Sequence, residues 1–317
     1  MLWFHVVRCC RGIATAVVLV VGLATLLGLL DRVFWVFEIA DVFRLQYLVL
    51  LLAAALAALM LRRSRLAFVA VVLAAVNAVV MGIPVAATAT AVGARPKGSL
   101  RVLVTNVEVG NTDFAAVDRL VAQSRPDVLG VIELTPPMAR HLHAALPAYQ
   151  VRILDVRDDA YGIGVYSRLP LLSAKIARFP SNGPPTVVAH LHVAGKTVAV
   201  IVTHVHTTFA GSIHVRHLDA LAAAARSQFG KRVILCGDFN TPPWSGPLRD
   251  FAAKAHVRDL YGGRAWAGYS WPTWGYALRV PLDNCFVSNS VAVTGHHDGP
   301  GVGSDHRPLV VDIGVLK

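Results

Sequence analysis

Five carboxylates, two asparagines and two histidines stand at the ends of apolar runs, where residue type and spacing together define a chemistry. Asn106 and Glu108 close the run from Leu100 to Val107, and Glu133 follows Val128–Ile132. His204 follows Val198–Thr203, and Asp238 and Asn240 follow Val233–Gly237. Asp283 sits near the start of Leu282–Val287, and Asp305 and His306 lie in Gly303–Pro308, just before the last apolar run. Carboxylates with an asparagine make a hard, oxygen-rich site suited to Mg²⁺ or Mn²⁺, and the scarcity of thiols argues against structural zinc. Histidines beside carboxylates supply a base and an acid. Metal, base and acid together are what phosphoester hydrolysis requires. Taken singly, each signal has a plainer reading. Gly237-Asp238-Phe239-Asn240 reads equally as an ordinary turn, Asp305-His306 as a helix cap and Glu133 as a solvated carboxylate. Their order and spacing carry the specificity.

The elements that must position these residues alternate. Strands are expected over 100–107, 128–132, 162–166, 186–193, 197–203, 232–236, 282–287 and 308–313, all short and rich in valine and isoleucine. Helices are expected over 114–124, 137–146, 214–229 and 247–254, the first capped by Asp113. Ala194-Gly195-Lys196 reads as a hairpin turn. This is an α/β pattern with a mixed sheet or two packed sheets, and in such sheets ligands collect at strand ends.

Asn106-Val107-Glu108, Glu133 after its strand, Thr203-His204, Gly237-Asp238-Phe239-Asn240, Leu282-Asp283 and Ser304-Asp305-His306 together resemble the motifs of the endonuclease/exonuclease/phosphatase superfamily. The resemblance spans roughly residues 99–315. It implies two packed mixed β-sheets flanked by helices, a four-layer sandwich with its site at one end. By that resemblance Glu133 is the principal ligand of Mg²⁺ or Mn²⁺, supported by Asn106, Glu108 and Asp305. His306 is the general base, oriented by Asp283. Asp238 positions the nucleophile or shares a metal, Asn240 holds a phosphoryl oxygen, and His204 stabilises or protonates the leaving oxygen. Arg216 is a candidate phosphate contact and, equally, a helix-surface arginine. Asn284 departs from the pattern, since many relatives carry histidine or tyrosine there. His190, His192, His206, His214, His217, His296 and His297 are read mainly as surface or loop residues, His206 with the strongest claim to more.

The chain is 317 residues long, 55% apolar and 15% charged, and the apolar excess lies almost wholly before Arg95. Three uncharged runs, 13–30, 45–61 and 66–92, are each about long enough to cross a bilayer, the third reaching to about 90 as a helix. Three in succession exclude a lone signal peptide, and their lack of polar stripes excludes a soluble bundle. Residues 1–94 thus read as a membrane anchor and 95–317 as the catalytic domain. Arg8 and Arg11 precede the first run, and Arg62, Arg63 and Arg65 link the second to the third. Arginine-rich segments stay cytoplasmic, so the amino terminus is inside and the domain outside the cytoplasmic membrane. Phe34, Trp35, Phe37, Phe43 and Tyr47 fit an aromatic belt on the outer face. Small-x-small spacing in Val85–Ala91 resembles a signal-peptidase site, and cleavage there would release the domain. The architecture also resembles membrane proteins linked to teicoplanin resistance.

Cys9 and Cys10 lie beside the first run; Cys236 and Cys285 lie in strand-like runs and read as two buried free thiols, with a single bridge as the alternative. From Arg95 onward, 23 Lys and Arg face 16 Asp and Glu, a net of +7 that suits anionic partners. Trp266, Tyr269, Trp271, Trp274 and Tyr276 read as a substrate rim or a packed loop, the latter favoured for Trp271 and Trp274. The leading expectation is hydrolysis of a lipid-linked or envelope phosphate at the bilayer. The alternatives are a tethered nuclease acting on extracellular nucleic acid, or a receptor without turnover, which the intact set of site residues argues against.

Overall fold

The computed structural model describes residues 2–82, 99–228, 230, 232–260 and 268–315. Its chain forms two compact units, one of Met1–Ile83 with Trp244–Gly246 and one of the remainder. The expected end of the third apolar run, the cleavage-like stretch Val85–Ala91, the linker around Arg95 and Trp266 lie outside the described residues.

The first unit is helical: α1 (Leu2–Leu27), α2 (Trp35–Asp41), α3 (Arg44–Met60) and α4 (Ser64–Gly82). Among the described residues, two helices are long and apolar enough to cross a membrane, and α2 with α3, bent by 57°, make a third span if taken as one. The charged connection between the first and second runs is largely ordered and buried. Asp31, Glu38, Asp41 and Arg44 are buried there, and part of the segment folds as α2. Arg44 Nε donates to Asp41 Oδ1, and Arg44 Nη1 to Asn77 Oδ1 at 3.2 Å. Asn77 Nδ2 donates in turn to Thr25 Oγ1 at 2.8 Å. Polar groups among apolar helices must find one another, because the apolar side chains around them offer no partner. Trp244 Nε1 joins this unit by donating to Asp41 O at 2.8 Å.

The second unit holds β1 (Leu100–Asn106), α5 (Phe114–Ser124), β2 (Val128–Ile132), α6 (Pro136–Ala145), β3 (Val151–Asp155), β4 (Ile163–Ser167), β5 (Leu171–Arg178), β6 (Pro185–Val193) and β7 (Lys196–His204). It continues through α7 (Ser212–Gln228), β8 (Val233–Asp238), α8 (Gly246–Ala255), β9 (Val257–Asp259), β10 (Asp283–Ser288), β11 (Val291–Asp298) and β12 (Leu309–Val315). One six-stranded sheet runs β11-β12-β1-β2-β4-β3 and the other β5-β6-β7-β8-β10-β9. Each is mixed, with one parallel pair near its centre, β1 with β2 and β7 with β8. Each parallel pair is joined by a helix, α5 or α7, as parallel neighbours require. Val102, Val104, Ile132, Val200, Val202 and Ile234 belong to the core between the sheets. Separate clusters pack α5 and α6 on one outer face, and α7 and α8 on the other. The two packed mixed sheets flanked by helices are the arrangement the motifs implied.

Local chemistry explains several junctions. Asp113 caps α5 by accepting from Ala116 N at 3.0 Å. Val193 pairs with Lys196, which leaves Ala194 and Gly195 as a two-residue turn with φ of 50° and 74°, the geometry a tight hairpin prefers. At Gly237 a Cβ would lie 1.9 Å from Thr203 O, so the close approach of β7 and β8 admits only glycine.

Candidate active site

The topology gathers the chemistry at one end of both sheets. Asn106 ends β1, Glu133 follows β2, His204 ends β7 and Asp238 ends β8. These are the carboxyl ends of the two parallel pairs. β10 and β12 run antiparallel to β8 and β1, so their starts, with Asp283 and the nearby Asp305-His306, fall at the same end.

The side chains meet there. His306 Nδ1 lies 2.7 Å from Asp283 Oδ2, and His306 Nε2 lies 3.6 Å from Asp238 Oδ2 and 4.0 Å from Asp305 Oδ1. His204 Nε2 also lies 3.6 Å from Asp238 Oδ2, and its Nδ1 is 2.9 Å from Ala160 O, a backbone acceptor that places the proton on Nδ1. Asn106 Nδ2 donates to Glu133 Oε1 at 2.9 Å and to Asp238 Oδ2 at 3.3 Å. Val109 N donates to Glu133 Oε2 at 2.9 Å, and Asp305 N to Glu108 Oε2 at 3.0 Å. Asn240 N donates to Asp238 Oδ1, and Asn240 Nδ2 to Val205 O, both at 2.9 Å. Glu108, Glu133 and Asn240 have φ of 63°, 61° and 53°, a left-handed backbone that non-glycine residues rarely adopt. Such positions persist where surrounding bonds over-determine them, and they cluster at functional sites.

Nine of the ten site residues named from the sequence therefore sit in this cluster. Arg216 stands apart, exposed on α7 with Nη1 donating to Ser212 Oγ at 2.9 Å. Three features depart from the expectations. His214 and His217 are fully buried rather than on the surface, and they brace the chain beyond β7. His214 Nδ1 is 2.5 Å from His206 O, and His217 Nδ1 accepts from His206 N at 3.3 Å. Trp271 is not a plain packing residue, because its Nε1 donates to Asp305 Oδ2 at 2.7 Å, whereas Trp274 is 74% exposed and packs into no loop core. Tyr161, which sequence reasoning passed over, lies with its ring tilted 46° to His204 and 5.5 Å away between ring centroids, and its hydroxyl lies 2.9 Å from His206 Nδ1. Its place beside the end of β2 follows only from the β2–β4 pairing.

The charge balance of the cluster favours a cation. Among the described residues, no lysine or arginine forms an ion pair with Glu108, Glu133, Asp238, Asp283 or Asp305; histidines are the only cationic partners. Ligand atoms of Asp238, Asp283 and His306 lie within 4.8 Å of one another. Five carboxylates around one imidazole pair leave an excess of negative charge, and an oxygen-rich set of this kind fits a hard divalent ion. Burial works against charge on His306, but Asp283, Asp238 and Asp305 outweigh it and push its pKa up to about 10. With the charge of Asp238 and Asp305 taken up by a cation, less of it remains to hold that proton.

Burial pushes the His217 pKa down to about 3. The unfolded chain would take up this proton near pH 6.5, so between there and about pH 3 it binds a proton that the folded chain refuses. Stability is therefore expected to fall as pH drops through that window, by on the order of 5 kcal/mol when complete. His217→Leu should flatten the fall in thermal melts taken from pH 7 to 4.5. An unchanged slope would show that other groups govern acid sensitivity.

Two packed mixed sheets with a carboxylate, asparagine and histidine cluster at their shared end define a class of phosphoester hydrolases. The model of the Endonuclease/Exonuclease/phosphatase family matches residues 103–306, and the chain belongs to that family. No curated protein matches the chain. Among solved structures, a D. rerio TDP2 humanized by 14 mutations is similar at 18% identity and TM-score 0.58, over 69% of this chain and 100% of that one. An endonuclease/exonuclease/phosphatase from Bacteroides vulgatus is similar at 18% and 0.57, over 68% and 99%. The human Nocturnin catalytic domain with bound sulfate is similar at 16% and 0.55, over 70% and 96%.

Proposed function

We propose that this chain hydrolyses a lipid-linked or envelope phosphate ester with Mg²⁺ or Mn²⁺, from a domain held outside the cytoplasmic membrane by its N-terminal helices. The observation that carries the hydrolytic reading is the His306–Asp283–Asp238 cluster set against Asn106 and Glu133. Glu133, Glu108, Asp305 and Asp238, with Asn106, would hold the ion, which supplies Lewis acidity toward a phosphoryl oxygen. Asp283 fixes the His306 ring through Nδ1, so Nε2 is the atom that takes a proton from the attacking water. Asn106 fixes Glu133 and Asp238 in their rotamers. His204, its Nδ1 proton engaged by Ala160 O, turns Nε2 toward the site, where a proton on that atom can pass to the leaving oxygen.

Two further observations support the location and the substrate. Trp274 and Tyr276, 74% and 84% exposed, lie on the segment that Thr273 N ties to Asp305 O at 2.9 Å. An exposed aromatic rim beside a phosphate site suits a lipid, whose chain begins where its head group ends. Cys236 and Cys285 are joined in a disulfide, which overturns the expectation of free thiols; disulfides persist in oxidising compartments, in keeping with a domain outside. The net of +7 favours the alternative of a tethered nuclease.

The experiment offers the protein in vesicles with Mg²⁺ an isoprenyl or phospholipid phosphate, plasmid DNA and a membrane-impermeant soluble phosphodiester. Lipid turnover should exceed DNA cleavage, and the soluble ester should be cut by right-side-out rather than inverted vesicles. Trp274→Ala with Tyr276→Ala should harm the lipid reaction more than the soluble one. Robust DNA cleavage without lipid turnover would install the nuclease reading, and activity confined to inverted vesicles would reverse the topology.

A further inference from the structure

We propose that the Cys236–Cys285 disulfide is a positioning device for the active site: it clamps β8 to β10 beside the rung that carries Asp238 and Asp283, and so keeps both carboxylates in register with His306. Cys236 pairs with Cys285, and Asp238 with Asp283, in one antiparallel ladder. Alternate residues of a strand share a face, so the sulfurs and the two carboxylates lie on the same face of the sheet. That face is the inner one, since both cysteines belong to the core between the sheets.

The rung needs such a clamp. Asp238 ends β8 and Asp283 begins β10, so the two like charges face each other at the last position of the ladder. Like charges directly opposite across strands are destabilising. These two are 1% and 4% exposed, where solvent screens little of the repulsion. His306 offsets it from between them, with Nδ1 2.7 Å from Asp283 and Nε2 3.6 Å from Asp238, and it can do so only while the strands keep this spacing. On its other side β10 pairs with β9 at Phe286–Ser288, so at the Asp283 end the neighbouring strand is β8, and off the ladder Ser270 Oγ accepts from Leu282 N at 3.1 Å and from Asp283 N at 3.0 Å. The disulfide is the covalent link nearest the charged rung, one ladder position of the same face away. An apolar pair at 236 and 285 would fill the same core volume without fixing that separation.

The proposal rests on the hydrolase reading only for its rate measurement. The test uses the full chain in detergent with Mg²⁺ and bis(4-nitrophenyl) phosphate. It compares the oxidised protein, the protein reduced with dithiothreitol, the reoxidised protein and a Cys236→Ala/Cys285→Val variant. Because both sulfurs are fully buried, reduction is done in partial denaturant that is then removed; it passes two electrons and two protons to the S–S bond, giving two thiols as the reagent closes to its own disulfide, and thiol titration in full denaturant counts them. At temperatures well below melting, kcat should fall about tenfold or more on reduction. KM should stay within about twofold, as for an interaction that acts in the transition state, and reoxidation should restore kcat. A second readout is the His306 Nδ1 proton in ¹⁵N-histidine-labelled protein, deshielded by its bond to Asp283 and assigned by its loss in His306→Gln. It should broaden or vanish on reduction. Reduced protein with unchanged kcat and an unchanged resonance would overturn the proposal and leave the disulfide a general stabiliser. If the oxidised protein shows no turnover, the hydrolase reading fails and the resonance alone decides; if the variant does not fold, the reduced wild-type chain decides.

Discussion

His306→Ala is expected to lower turnover of a phosphodiester by roughly 10²-fold or more, the scale of a lost general base. Asp283→Asn should do much of the same damage, because the 2.7 Å bond from Nδ1 is what aims Nε2 at the site. The two losses should be far from additive in the double variant, since residues that act as a unit are lost together. The geometry adds a second expectation. Asp283, Asp238 and Asp305 together favour the protonated ring, so Asp283→Asn should also lower the pKa at which His306 sheds its proton. That shift is readable by NMR titration in metal-free protein, independently of rate. Fully additive losses in kcat would show that the two residues do not work as a pair.

Metal removal should have the other large effect. Asn106 Nδ2 bridges Glu133 and Asp238, Glu108 accepts from Asp305 N, and no lysine or arginine is among the ion pairs of these carboxylates in the described residues. Chelation should therefore abolish hydrolysis, and Mg²⁺ or Mn²⁺ should restore it. Glu133→Gln should raise the Mg²⁺ concentration needed for half activity by roughly 10–100-fold, at least the loss seen when a ligand's supporting partner is removed. The substitution also turns one acceptor oxygen into a donor that faces Val109 N–H, a bond now made at 2.9 Å. Melting of the metal-free variant should still be cooperative, since Glu133 is only half-buried and lies after β2 rather than within it. Hydrolysis that survives exhaustive chelation would remove the metal from the mechanism.

Stability and site respond to different parts of the sequence, and this governs what was legible in advance. The eight expected strands all exist, and each is internal to one of the two sheets. The four unexpected ones, β3, β5, β9 and β11, are the four sheet edges. An edge strand is half-wetted and carries polar and charged residues, as Leu171–Arg178 does with Lys175 and Arg178, so its composition resembles a loop. The helices α5 to α8 were legible because each lays one apolar face on a sheet. The short α2 was not, because Glu38 and Asp41 interrupt its apolar pattern, and only tertiary packing buries them.

The sequence by itself determined the eight internal strands, the helices α5 to α8, the family, nine members of the candidate site cluster and the apolar runs, because composition, period and motif spacing are local properties of the chain. The tertiary structure alone decided which distant elements meet. It joined Cys236 to Cys285 across the β8–β10 ladder, set Trp271 on Asp305, buried His214 and His217 behind the end of β7, brought Tyr161 beside His204 and left Arg216 on the outer face of α7. Each of these depends on strand register or on packing between residues far apart in sequence. A one-residue slip in register moves every side chain of a strand to the opposite face, and no local pattern records which partner a strand will find.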